Sequence, residues 1–229
     1  TLFRSYPPRC FKTPPVPNPD IHAIARGVAD PSRLWERPLT GPLMLRVRFL
    51  GGTPAQHIEV LTHARTWCQH AALVFDQSDA YDAQIRISFV PGHGDWSFVG
   101  TDAVRPDIGF AQASMNLVNI DPETVLHEFG HALGLQHEHQ HPSAPLQLNR
   151  PQILAEMTQP PNSWSVEQVD RNILDRFTPA DVLVTPFDPA SIMAYQIPPS
   201  WLLGGTALPR NTCLSTGDIA LVSALYGAR

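Results

Sequence analysis

The chain is nearly devoid of lysine: Lys12 is the only one, and arginine supplies the other basic residues. It also lacks any block of like charges, and its net charge is −5, so neither nucleic acid nor an acidic membrane surface is an expected partner. No apolar run approaches the roughly 20 residues that a bilayer-spanning helix needs. The first residues carry no secretory pattern, so any targeting segment is expected to have been removed or never present. Cysteine is scarce. Cys10, Cys68 and Cys213 allow at most one internal disulfide, and their spacing matches neither a zinc ribbon nor a CxxC redox pair. Internal repeats are absent as well.

What is present suffices for one folded unit. At 229 residues and 43% hydrophobic content the chain can build a core without disulfides or repeats. Residues 1–20, with Pro7, Pro8, Pro14, Pro15, Pro17 and Pro19, predict an extended arm. Residues 21–229 are expected to form a single domain, or two small lobes sharing one cleft.

Residues 43–50 alternate as a strand and end at Gly51-Gly52. Thr53, Pro54 and Gln56 then read as N-cap, N1 and N3 of a helix, with Ile58, Leu61, Ala64, Cys68 and Ala71 along one face. Further strands are predicted at 73–75, 83–89, 96–99 and 113–118. Asp121 and Pro122 open a second helix that should stop at Gly134. Residues 165–174 are amphipathic through Val166, Val169 and Ile173. A closing helix runs from the cap Ser215, with Asp218 at N3 and Ile219, Val222 and Leu225 inward.

The chemistry concentrates in the second helix. His127 and His131 lie four apart, hence on one face, where two imidazoles can share an ion. Glu128 follows the first histidine and can act on water without being a ligand, which is the H-E-x-x-H arrangement of zinc peptidases. Gly134 can take the left-handed conformation that reverses the chain, bringing His137 back as a third nitrogen. A catalytic zinc site uses three protein ligands and leaves a position open, so one zinc ion is expected. The neighbouring His139 and His141 are expected on the surface of the loop leaving the site. His57, His63, His70 and His93 have no partner at ligand spacing. Far downstream, Ser191-Ile192-Met193-Ala194-Tyr195 supplies a methionine turn, and H-E-x-x-H-x-x-G-x-x-H with such a turn is the metzincin signature.

On these residues the chain resembles the metzincins and, within them, the astacin-like peptidases. Glu138 after the third histidine and Tyr195 at the end of the turn carry that distinction. Serralysins share the tyrosine, but their glycine- and aspartate-rich calcium repeats do not occur here. The final residues 214–226 look closest to a fungal and bacterial branch. Animal astacins instead have Phe where this chain has Leu135, an arginine- and aspartate-rich run soon after, and two disulfides with no counterpart here.

The resemblance implies an α+β, two-lobed zincin-like fold within one catalytic domain: a twisted mixed sheet with two long helices in the upper lobe, about 21–134, and a sparser lower lobe after Gly134, about 135–229. It implies a zinc endopeptidase acting on protein or peptide substrates, as a secreted monomer. Glu128 would be the general base. Tyr195 would be a fifth zinc ligand that turns to the oxyanion, and Met193 an apolar floor. Substrate would lie along an edge strand made by Ala113, Ser114, Met115, Asn116 and Leu117. In astacins the mature N-terminus reaches the residue equivalent to Glu138; with a proline-rich arm in front, Thr1 is not expected to do so. Two rivals remain, a matrixin-like peptidase and a zinc-binding module without catalysis. Glu138 and Tyr195 speak against the first, and Glu128 against the second.

Overall fold

A computed structural model describes residues 27–229, so the proline-rich arm, Cys10 and any docking of Thr1 near Glu138 lie outside the described residues. In chain order the elements are β1 (Val28–Ala29), β2 (Leu43–Phe49), α1 (Pro54–Ala64), β3 (Leu73–Gln77), β4 (Ile85–Ser88), β5 (Trp96–Ser97) and β6 (Met115–Asn116). There follow α2 (Pro122–Ala132), β7 (Leu146–Leu148), α3 (Arg150–Met157), α4 (Val166–Val169), β8 (Leu183–Val184), β9 (Leu202–Gly205) and α5 (Thr216–Tyr226). Among the described residues no helix is long and apolar enough to cross a membrane.

The class is α+β, as expected. A five-stranded sheet has the order β3-β2-β4-β6-β5, parallel except for antiparallel β5. Parallel pairing demands crossovers, and α1 supplies the one between β2 and β3. It starts where capping chemistry predicts: the Thr53 side chain accepts from the Gln56 amide, and the Gln56 side chain accepts from the Thr53 amide. Its apolar face differs from expectation. The helix ends at Ala64, so Cys68 and Ala71 fall beyond it, and Val60 turns inward while Ile58 is 67% exposed.

The substrate strand also needs correction. The segment Ala113, Ser114, Met115, Asn116, Leu117 is no edge: β6 is paired on both sides, by β4 and β5. After β4 the chain runs out to make β5 and then returns to insert β6 between them, leaving Trp96–Ser97 outermost. Ser114 and Asn116 are both buried. Their polarity is absorbed locally: Asn116 accepts from Ser88 Oγ at 2.7 Å and the Val90 amide at 2.9 Å, and donates to the Gly94 carbonyl at 2.6 Å.

Two apolar clusters form. The first lies between the sheet and α1, α2 and α5, with Trp67, Phe75, Phe129, Ile192 and Met193 among its members. The second holds Ile153, Met157, Trp164, Val169, Ile173 and Trp201, so both tryptophans of the second half serve packing. Val166 stays 44% exposed, against expectation. The last helix departs from a division at Gly134, because Leu221, Val222, Leu225 and Tyr226 return to the first cluster.

Candidate active site

The site begins with α2. Asp121 accepts from the Thr124 amide at 2.9 Å and Pro122 takes the first turn, so the helix starts as its sequence predicts. It ends in a Schellman turn: Gly134 at φ 89° donates to the His131 carbonyl (2.8 Å), and Leu135 to the Gly130 carbonyl (3.0 Å). The other terminal carbonyls have partners from distant segments. Trp35 Nε1 donates to Ala132 (2.8 Å), Tyr226 hydroxyl to Leu133 (2.7 Å), and the Asp30 amide to Gly134 (3.1 Å). That end of the helix is therefore rigid, as a ligand scaffold requires.

Past the turn, His137 comes back beside His127 and His131. Their ligand nitrogens lie within 4.8 Å of one another, and the three residues are buried. Hydrogen bonds settle which nitrogen each ring presents. His127 Nδ1 is 2.8 Å from the Ile192 carbonyl, and His131 Nδ1 is 2.9 Å from the Leu135 carbonyl. Carbonyl oxygens only accept, so each Nδ1 carries the proton. His137 Nδ1 is 3.3 Å from Gln140 Oε1. That amide's orientation is fixed because its Nε2 donates to the Arg171 and Asp175 carbonyls at 2.7 and 2.9 Å. All three rings therefore direct an Nε2 lone pair to a common centre.

This donor set fits zinc. Two nitrogens about 2.0–2.1 Å from a tetrahedral ion lie about 3.3–3.4 Å apart, and His131 and His137 Nε2 are 3.1 Å apart. Two facing lone pairs at that distance repel unless a cation lies between them. Burial holds the His131 imidazole down to about 4 and His137 well below its ordinary value, which favours the neutral form that binds metal.

His139 and His141 are not on the surface: both are 1% exposed. His139 Nε2 donates to the Asn172 carbonyl (2.9 Å), while its Nδ1 accepts from the Tyr195 amide (3.3 Å). His141 Nε2 donates to the Thr185 carbonyl, and its Nδ1 accepts from the Ser143 amide (2.9 Å). Both are thus the opposite tautomer, with no lone pair to spare for an ion. They act as buried clips joining the site loop to the second lobe, which is why they leave solvent. Burial lowers both, His139 to about 4.

Glu128 is fully buried on α2. The Tyr195 ring sits 4.4 Å from His137 and 5.8 Å from His127 between centroids, and it stacks on His139 at 4.5 Å. Met193 packs under α2 against Gly130. Glu138 ties the two motifs together: its amide donates to the Met193 carbonyl (3.0 Å), and its Oε1 accepts from the Asp188 amide (2.7 Å). Burial pushes its carboxyl up to about 9. Gln140 and Asp218 escaped the sequence reading of the site, and Ser191 entered it only as part of the methionine turn, since only the folded chain shows what each side chain holds.

A sequence profile described as Astacin, a peptidase family, matches residues 48–199, more than half of the chain. The chain belongs to this astacin family. Zinc metalloproteinase nas-36 of Caenorhabditis elegans is 28% identical over 138 residues, 60% of this chain but only 20% of that much longer protein. A solved structure of myroilysin agrees at TM-score 0.79 and 30% identity, covering 87% of this chain and 98% of that one. High choriolytic enzyme 1, a hatching-enzyme zinc protease from the medaka fish Oryzias latipes, agrees in fold at TM-score 0.61 and 20% identity, over 86% and 96% of the two chains. Astacin-family membership and the three convergent imidazoles agree on one metal: His127, His131 and His137 can hold a single zinc ion.

Proposed function

We propose that the chain is a zinc-dependent endopeptidase that hydrolyses internal peptide bonds of protein substrates, with His127, His131 and His137 as metal ligands. The observation that carries this reading is the shared tautomer of the three histidines, each Nδ1 proton held by an acceptor and each Nε2 turned to one centre. Zinc bound there supplies positive charge that polarises a carbonyl and brings the pKa of water to about 7. Glu128 takes the proton of the attacking water and delivers it to the leaving amine. Tyr195, next to the ligands and in this reading a resting-state ligand itself, donates its phenol to the oxyanion. An extended substrate pairs with the outer edge of β5, whose one strand partner among the described residues is β6. Action outside the cell, as a monomer, belongs to this reading; an unrestrained endopeptidase is hazardous in cytosol.

Casein or peptide cleavage before and after chelation tests it. Cleavage should vanish with chelator and return with one equivalent of zinc. Chelator-resistant cleavage defeats the reading, and zinc binding without cleavage favours a non-catalytic module. Tyr195→Phe is expected to lower kcat on the order of 10²-fold with little change in KM. Equal losses in kcat and in substrate binding would assign the phenol a structural part instead.

A further inference from the structure

The turn beneath the metal ligands is held by the last helix in a way that its capping does not require. Asp218, 1% exposed, is N3 of α5, and its Oδ2 completes the capping box by accepting from the Ser215 amide at 2.9 Å. That oxygen also accepts from the Ile192 amide at 2.8 Å. Oδ1 is left over from the cap, and it receives the Ser191 hydroxyl at 2.6 Å. The same hydroxyl oxygen accepts from the Met193 amide at 3.0 Å. The Met193 N–H and the Ile192 C=O belong to one peptide group, and that carbonyl takes the Nδ1 proton of His127 at 2.8 Å.

Donors and acceptors therefore run in one direction over the whole path. His127 Nδ1–H points to the 192–193 peptide, its N–H to Ser191 Oγ, and the hydroxyl to Asp218. Metal-bound histidines commonly give their second N–H to a carboxylate, which orients the ring and raises its basicity. Here the carboxylate lies two hydrogen bonds further out, and each bond in such a chain polarises the next. The Nδ1 protons of His131 and His137 go instead to the Leu135 carbonyl and to the side-chain amide of Gln140.

We propose that Asp218 and Ser191 are positioning residues for the metal site, transmitting carboxylate character through the 192–193 peptide to His127. This rests on the zinc reading above.

The test uses the full chain and variants Ser191→Ala, Asp218→Asn and their combination. Ser191→Ala leaves the cap of α5 intact, so it reports on the relay even if Asp218→Asn harms folding. Zinc affinity is measured by competition with a chromophoric chelator, alongside unfolding of the metal-free protein. Ser191→Ala should weaken zinc binding about 10-fold, within the range found for outer partners of metal ligands. The double variant should lose little more than the worse single one, because both cut one path. In zinc-loaded, ¹⁵N-labelled protein the Nδ1–H proton of His127 should move upfield in Ser191→Ala, with those of His131 and His137 unmoved. Zinc affinity within about twofold of the parent in Ser191→Ala overturns the relay, as does a shift shared equally by all three rings. Failure of the unaltered chain to bind zinc would instead defeat the zinc reading itself.

Discussion

Glu128→Gln is expected to keep zinc and the fold while lowering kcat/KM by about 10³-fold or more, within the range for general acid–base groups. The two side chains have the same shape, so the buried position on α2 stays filled. Glu128 stands outside the three-histidine set, so metal content should remain one ion per chain. The change conserves side-chain volume, so the stability of the metal-free protein should change little. What Gln cannot do is accept a proton from water and release it to an amine. Active-site zinc content, unfolding midpoint and turnover are therefore measured on one preparation. Parent-like turnover in a zinc-loaded, folded variant would remove Glu128 from the mechanism, and loss of zinc would make it a structural neighbour of the ligands.

The parts of this site that a reader of the sequence can find are those whose partners lie within a few residues. Thr53 with Gln56, Asp121 with Thr124, and Ser215 with Asp218 each close a cap over three residues, and all three form. The ligand spacing is equally local, because four residues of helix and one glycine turn set it. Long-range partners leave no such trace. Asn116 looks solvent-facing until the 88–94 turn folds over it, and insertion of β6 between β4 and β5 is a decision of topology. His139 and His141 resemble loop histidines until Asn172 and Thr185 arrive to take their protons. Gln140 acquires its orientation only from carbonyls 31 and 35 residues away. The tautomer that separates a ligand from a clip is a property of these distant acceptors.

Gly130→Ala is the substitution on which local and tertiary physics give opposite signs. Position 130 lies inside α2, in ordinary helical backbone, where Ala is preferred over Gly by about 0.8–1.0 kcal/mol. Propensity alone thus predicts a stabilised protein. A methyl at this point, however, overlaps Met193 Sδ and comes within 3.3 Å of its Cε and 3.4 Å of Trp67 Cζ2. Trp67 cannot retreat: it is fully buried, and its Nε1 donates to the Leu126 carbonyl at 3.1 Å. Met193 must yield, and methionine is flexible enough to do so in part. Its backbone is pinned at both ends, by the Glu138 amide on its carbonyl and by Ser191 Oγ on its amide. Overpacking of this kind costs about 1–3 kcal/mol, which outweighs the propensity gain. The variant is therefore expected to be less stable than the parent in urea. It should also hold zinc more weakly, because displacing Met193 shifts the Ile192 carbonyl that orients His127. Combining Gly130→Ala with Met193→Ala frees the space, so the double variant should cost less than the sum of the two single changes. If Gly130→Ala instead raises stability by the propensity amount, the turn is not seated against α2 as closely as these contacts imply.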